Sequence, residues 1–129
     1  MIPQTLADED MTSICSQLIR FDTSNYAHGH AKGESACVDY IQDLLSGTPF
    51  KQVRLESAPG RSNLIVTLPG SDPAAPGIVC HGHLDVVPAD ATQWSFDPFS
   101  GAVEDGCVRG RGAVDMQDFV SAMIRPLLD

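Results

Sequence analysis

Basic residues are scarce in this chain of 129 residues. Eight lysines and arginines stand against 17 aspartates and glutamates, which gives a formal net charge of −9. No cluster of lysine or arginine occurs, so the basic face typical of nucleic-acid-binding proteins is missing. The chain also lacks a run of the roughly 18 apolar residues that a membrane-spanning helix needs. We therefore expect neither a nucleic-acid partner nor a membrane partner.

Closely spaced cysteine pairs are absent as well. The four cysteines are Cys15, Cys37, Cys80 and Cys107. Each lies among small or apolar residues, which predicts free, buried thiols in a reducing compartment. The first eleven residues lack the cationic stretch that opens a secretory signal. These features together predict a cytoplasmic protein.

The period of the hydrophobic pattern changes along the chain. Apolar residues recur at helical spacing in some segments, whereas shorter runs are β-branched or alternate with polar residues. The predicted helices are 6–20, 34–46 and 114–128, and the predicted strands are 50–55, 63–68 and 78–80. Pro126 is expected to end or kink the last helix. Helices and strands in this order are typical of an α/β layered fold.

The segment HGHLD at 81–85 carries the strongest chemical signal. In an extended chain His81, His83 and Asp85 share one face, because alternate side chains point the same way. Imidazole nitrogens and carboxylate oxygens are ligands that zinc accepts. The alternative is a set of hydrogen-bonded polar residues at the end of a strand. Metallo-β-lactamase-like hydrolases also carry a His-x-His-x-Asp pattern, but Val86 occupies the position of their next ligand.

A second segment, GRGAVD at 110–115, combines two glycines with a carboxylate. The glycines permit a tight backbone path, and Asp115 is expected near the start of the last helix. Asp115 could serve there as an ordinary helix cap or as a site carboxylate that the helix dipole favours. Just upstream, Asp105-Gly106 predicts a tight turn.

These motifs together resemble the amino-terminal part of the dinuclear zinc peptidase/deacylase family. That family includes aminoacylase, acetylornithine deacetylase, succinyl-diaminopimelate desuccinylase and glutamate carboxypeptidase. The matching segments, in order, are LIRFDTSN (18–25), GES (33–35), RSNLIVTLPG (61–70), GHLDVVPA (82–89), Trp94, DPF (97–99), DG (105–106) and GRGAVDM (110–116). The resemblance thus covers nearly the whole chain.

The resemblance implies a role for each matching residue. His83 would be a ligand of one metal ion, Asp85 the catalytic carboxylate that orients His83, and Asp115 the bridge between two metal ions. His81 matches no ligand position. The implied cofactor is Zn²⁺, two ions per complete site, although Co²⁺ or Mn²⁺ could also bind such ligands. The implied reaction is metal-assisted hydrolysis of amide bonds in N-acyl amino acids or small peptides.

The resemblance also implies a three-layer α/β/α catalytic domain, of which residues 1–129 would be the truncated N-terminal portion without the lid domain. The family's general-base glutamate and its remaining ligands follow the bridging aspartate, and the chain ends before them. We therefore expect weak zinc binding and no useful turnover from this chain alone. The alternative is a catalytically incompetent remnant or interaction module of the same fold, and the oligomeric state stays open.

One local departure from the family pattern follows Asp115. The family most often has Lys-Gly after its Asp-Met pair, whereas this chain has Gln117-Asp118. We expect the loss of the lysine to be tolerated on a surface turn.

Overall fold

The computed structural model describes residues 10–129, and its helices and strands follow one another as a mixed α/β arrangement. The helices are α1 (Met11–Arg20), α2 (Ser35–Leu44) and α3 (Asp118–Ile124), and the strands are β1 (Lys51–Ala58), β2 (Arg61–Thr67), β3 (Ala102–Glu104) and β4 (Cys107–Arg109). The α/β prediction is therefore confirmed at this level. The three-layer arrangement stays a prediction.

Helix α1 begins one residue after Asp10, whose side chain accepts a hydrogen bond of 2.7 Å from the backbone N–H of Ser13. Asp10 thus caps the helix and satisfies one of its free N–H groups. The predicted start at residue 6 lies outside the described residues. The apolar stripe of α1 faces inward, with Ile14 and Leu18 fully buried.

The core lies between the three helices. Its buried members are Ile14, Leu18, Cys37, Ile41, Leu44, Leu45, Val120 and Ile124. Burial raises the pKa of the Cys37 thiol to about 12, so this thiol stays protonated and unreactive. The prediction of buried, unpaired thiols is right for Cys15 and Cys37. Cys80 and Cys107 are also free, but they are exposed, so the prediction that these two thiols are buried is wrong.

The strands form two separate antiparallel hairpins, β1–β2 and β3–β4. In the first hairpin Val53 pairs with Ile65, and the register shifts between Glu56 and Ala58. In the second, Asp105 and Gly106 have φ values of 53° and 76°, the left-handed geometry of a tight hairpin turn. The turn predicted from Asp105-Gly106 is therefore confirmed.

The predicted strand at 78–80 is wrong in this structure. The segment is neither helix nor strand, and the side chains of Ile78 and Val79 are 91% and 89% exposed. A strand needs a neighbouring backbone to complete its hydrogen bonds, and no segment of residues 10–129 pairs with 78–80. Pairing begins only at Val86, which forms an isolated parallel bridge with Ser24.

The last helix starts later than predicted. Residues Ala113–Gln117 form a wide turn with non-helical backbone angles at Asp115 and Met116, and α3 begins at Asp118. Asp115 is consequently not the cap of α3, and the helix-cap interpretation of this carboxylate is wrong. Pro126 lies in a short 3₁₀ turn directly after α3, which confirms that the regular helix ends before it.

Candidate metal centre

Two segments that are distant in sequence meet at the site: the extended segment 81–87 and the glycine-rich loop 110–117. The carbonyl of Leu84 accepts hydrogen bonds from Thr23 Oγ1 at 2.7 Å and from Gln117 Nε2 at 3.1 Å. The backbone N–H of Asn25 donates to the carbonyl of Val86 at 2.9 Å. These bonds hold the extended segment between the loop after α1 and the loop before α3.

His83 and Asp115 come together across 32 residues, with His83 Nε2 3.0 Å from Asp115 Oδ1. The other ring nitrogen, Nδ1, lies 3.0 Å from the backbone carbonyl oxygen of Asp85 and 3.4 Å from its carboxylate. With the proton on Nδ1, the ring donates to that carbonyl and turns the lone pair of Nε2 toward Asp115. Two lone pairs at this distance repel each other unless a proton or a cation lies between them.

Asp85 is held by a residue that the sequence interpretation did not single out. Asn25 Nδ2 donates to Asp85 Oδ2 at 2.9 Å. This bond leaves the other carboxylate oxygen of Asp85 on the side of the His83 ring. Asn25 is the last residue of the LIRFDTSN segment, and its position in that motif is the sequence feature that could have identified it as a site residue.

The loop that presents Asn25 is itself fixed by Asp22. Its carboxylate accepts hydrogen bonds from the backbone N–H of Ser24 at 3.1 Å and from the Ser24 hydroxyl at 2.6 Å, and it pairs with the Lys32 ammonium. Partial burial acts to raise the pKa of Asp22, but these hydrogen bonds outweigh it and the pKa is lowered. Asp22 therefore stays ionised at neutral pH and keeps the loop ordered.

A cavity of about 720 Å³ opens beside the histidine and the two aspartates. Its lining consists of Asn25, Ala27, His83, Asp85, Val86, Val87 and residues 110–115. His81, although adjacent in sequence, is exposed and is not part of this lining. His83 and Asp85 of the HGHLD segment therefore line the cavity, whereas His81, which was expected on the same face, lies outside it.

Glycines let the loop 110–117 approach its supports closely. A Cβ on Gly110 would lie 2.3 Å from Cγ2 of Ile19 in α1, and a Cβ on Gly112 would lie 2.6 Å from Cγ1 of Val86. Such distances are below any tolerable contact, so a side chain at either position would push the loop away. The glycines of GRGAVD therefore serve close packing that carries Asp115 toward His83.

Gln117 is buried, contrary to the surface turn expected there. Its side chain is 1% exposed and donates to the carbonyl of Leu84, while its backbone N–H donates to the carbonyl of Gly112 at 2.9 Å. Gln117 thus ties the two site segments to each other. The expectation of a surface turn is wrong because the wide turn at 113–117 rotates this position inward.

The donor chemistry of this pair fits a divalent metal ion. Two ligands at about 2.0–2.1 Å from one tetrahedral zinc ion lie roughly 3.3 Å apart, close to the observed 3.0 Å between His83 Nε2 and Asp115 Oδ1. The Asp115 side chain is 87% exposed, so its second oxygen is open to solvent. Within residues 10–129, however, no group of three or more histidine, cysteine or acidic side chains surrounds a common point.

Comparison with known proteins assigns the chain to a family. Residues 79–128, which include both site segments, match the model of peptidase family M20/M25/M40. The chain belongs to this family.

Proteins with sequences similar to this chain are named as desuccinylases. A succinyl-diaminopimelate desuccinylase of Xanthobacter autotrophicus is 54% identical over 54 residues, 41% of this chain and 14% of the relative. One of Cereibacter sphaeroides is 38% identical over 97 residues, 74% of this chain and 25% of the relative. A probable succinyl-diaminopimelate desuccinylase of Staphylococcus epidermidis is 30% identical over 125 residues, 96% of this chain and 29% of the relative. The chain therefore spans less than a third of the length of these relatives.

The described helices are all short. Among residues 10–129, no helix has the length and apolar character needed to cross a bilayer.

Proposed function

We propose that this chain is the N-terminal portion, residues 1–129, of a metal-dependent amide hydrolase. The observation that carries the proposal is the approach of His83 Nε2 to Asp115 Oδ1 at 3.0 Å across 32 residues of sequence. The two side chains come from segments that are distant in sequence, and both line the same cavity. A cation bound by both side chains would explain why they converge. Membership of the M20/M25/M40 family supports such a metal site.

The proposed metal is Zn²⁺, with two ions in the complete site and Co²⁺ or Mn²⁺ as possible substitutes. A bound divalent cation of this kind supplies Lewis-acid polarisation of the scissile carbonyl. His83 and Asp115 would hold it, and Asp115 would bridge two ions. Asp85 would fix the His83 ring through Nδ1, while Asn25 keeps the Asp85 carboxylate in place.

The proposed substrate class is small N-acyl amino acids or peptides. Its support is the name of the relatives, since desuccinylases act on succinyl groups attached to an amino compound. The cavity of about 720 Å³ is large enough for a substrate of that size. No glutamate is among the described residues that line this cavity, so residues 10–129 would supply ligands and their orientation but no glutamate as general base.

For the whole protein we propose a three-layer α/β/α catalytic domain in the cytoplasm. The exposed apolar residues Ile78 and Val79 support this architecture, because a central strand at this position would bury them between layers. The two hairpins described here would then be parts of a larger arrangement.

Zinc titration tests the proposed metal centre. We expect weak binding of Zn²⁺ to the chain, and affinity at least about tenfold lower in His83→Ala and in Asp115→Asn, because each loses one ligand. Isothermal titration calorimetry at pH 7.5 measures this directly. His81→Ala is the matched control, since His81 is exposed outside the cavity, and its affinity should equal that of the wild type. Equal zinc affinity in the wild type and His83→Ala would exclude His83 as a ligand.

The hydrogen bonds by which Gln117 joins the two site segments lead to a second prediction. Gln117→Leu keeps the side-chain volume but removes the donor to the Leu84 carbonyl. We expect zinc affinity to fall roughly tenfold, as is usual when a group supporting a ligand is lost. The free energy of unfolding should change by less than about 1.5 kcal/mol, because Thr23 still donates to the same carbonyl.

The control for this variant is Gln93→Leu at an exposed position. It makes the same chemical change away from the site, and its zinc affinity should match that of the wild type. A Gln117→Leu protein with wild-type zinc affinity would show that the hydrogen bond from Gln117 to Leu84 does not position the ligands.

A catalytically incompetent remnant or interaction module of the same fold is the second candidate. The observation that favours it is the absence, within residues 10–129, of a cluster of three or more potential ligands. Zinc binding separates the two candidates, because neither of them predicts useful turnover from residues 1–129 alone. Binding of Zn²⁺ that weakens in both His83→Ala and Asp115→Asn would rule out the remnant, whereas a chain that binds no Zn²⁺ is what the remnant predicts.

A further inference from the structure

Arg111 occupies a defined position in the wall of the cavity. Its backbone N–H donates to the carbonyl of Pro98 at 2.7 Å, which fixes the start of the side chain. Its guanidinium carbon lies 5.2 Å from the ring centroid of Trp94, within the range of a cation–π contact. Trp94 is in turn held by an edge-to-face contact with Phe96, whose ring centroid is 5.3 Å away. The guanidinium is therefore pre-positioned by aromatic packing.

One donor of this guanidinium has no acceptor within residues 10–129. Its Nε atom is buried and has no hydrogen-bond acceptor there. The other arginines of the chain, at positions 20, 54, 61, 109 and 125, all donate to a carboxylate or a backbone carbonyl. Arg111, by contrast, forms no ion pair with any acidic side chain that the structure describes.

The buried Nε–H of Arg111 carries a free-energy cost because no acceptor satisfies it, and a bound ligand could remove this cost. An unsatisfied buried donor is disfavoured in the free protein, and more so when it is charged. An anion that enters the cavity would remove this cost. A carboxylate is the anion best suited to a planar guanidinium, because its two oxygens accept two parallel N–H bonds.

We propose that Arg111 binds a carboxylate group of the substrate and so sets its orientation in the cavity. The inference rests on the proposed hydrolase function, whose metal ligands His83 and Asp115 line the same cavity. Arg111 lies in the wall of this cavity beside the proposed ligands, and its guanidinium would draw a substrate carboxylate to its own position. A substrate with one carboxylate and one amide is thereby held with the amide toward the metal ligands.

The single tryptophan of the chain reports on this site without any metal or turnover. Trp94 stacks on Arg111, so a carboxylate bound to the guanidinium changes the Trp94 fluorescence. Titration with succinate at constant ionic strength should give a saturable change in the wild type. Succinamide, its neutral analogue, should give none. Arg111→Met, which keeps a long apolar side chain against Trp94, should weaken succinate binding at least tenfold.

The matched control is Arg109→Met, which removes the same charge two residues away on the exposed hairpin. Its succinate affinity should equal that of the wild type. Succinate that binds equally well to the wild type and Arg111→Met, or that produces no saturable signal in the wild type, would overturn the proposal.

Zinc titration of the same Arg111→Met protein keeps the two proposals separate. Wild-type zinc affinity in this variant shows that it is folded and that the metal site is intact. Unchanged zinc affinity in His83→Ala counts against the proposed hydrolase. Unchanged succinate affinity in Arg111→Met counts only against the proposed role of Arg111.

Discussion

Replacing Leu18 by alanine is expected to lower the free energy of unfolding by about 2–5 kcal/mol. Leu18 is 0% exposed and lies in α1 at the centre of the core that joins the three helices. Truncation removes buried methyl groups and leaves a cavity that close-packed neighbours can fill only in part. Urea unfolding followed by far-ultraviolet circular dichroism measures the change.

Met11→Ala provides the comparison within the same helix. Met11 is 50% exposed, so its truncation should change the free energy of unfolding by less than about 0.5 kcal/mol. Similar losses in the two variants would mean that α1 does not pack as described. Because Ile19 of α1 also supports Gly110, disruption of this helix should disturb the site loop as well.

Alanine at Gly101 is the second change with a large expected effect. Gly101 has a φ of 59°, and a Cβ there would lie 2.3 Å from the backbone carbonyl oxygen of Ser16. The left-handed conformation alone costs a non-glycine residue about 1–2 kcal/mol. The clash with the backbone of α1 adds to this, and we expect a total loss of about 3 kcal/mol or more. The substitution should also break the hydrogen bond from the Ser16 hydroxyl to the Gly101 carbonyl.

Gly106→Ala separates the two contributions. Gly106 has a φ of 76°, but no atom lies within 4 Å of the Cβ that would be added. This variant should therefore lose only the about 1–2 kcal/mol of conformational strain. Thermal and urea unfolding of both variants, compared side by side, give the steric contribution as the difference. Equal losses would show that the hairpin does not approach α1 as closely as described.

Local signals in the sequence were reliable where the structure depends on neighbouring residues. The stripe of Ile14 and Leu18 predicted a helix, and these side chains are buried in α1. Asp105-Gly106 predicted a tight turn, and both residues have the positive φ that this turn needs. Pro126 predicted the end of the last helix. Each of these outcomes follows from periodicity or from backbone sterics within a few residues.

Predictions that depended on distant partners were less reliable. The apolar run at 78–80 predicted a strand, but no backbone among residues 10–129 is available to pair with it. Asp115 was compatible with a helix cap, and Gln117 with a surface turn. The wide turn at 113–117 instead exposes the first and buries the second. Burial and backbone rotation at these positions depend on what packs against the loop, which a local pattern does not contain.

For the site, the sequence alone determined the chemical types: a histidine, two aspartates and a glycine-rich loop in the order typical of the family. The folded chain adds three facts about the site: His83 and Asp115 meet, His81 stays outside the cavity, and Asn25 supports Asp85. Spacing along a chain could not supply them, because it constrains only residues that are close in sequence. Contact across 32 or 60 residues is set by the packing of α1 and by the hydrogen bonds that join the two loops to the extended segment between them.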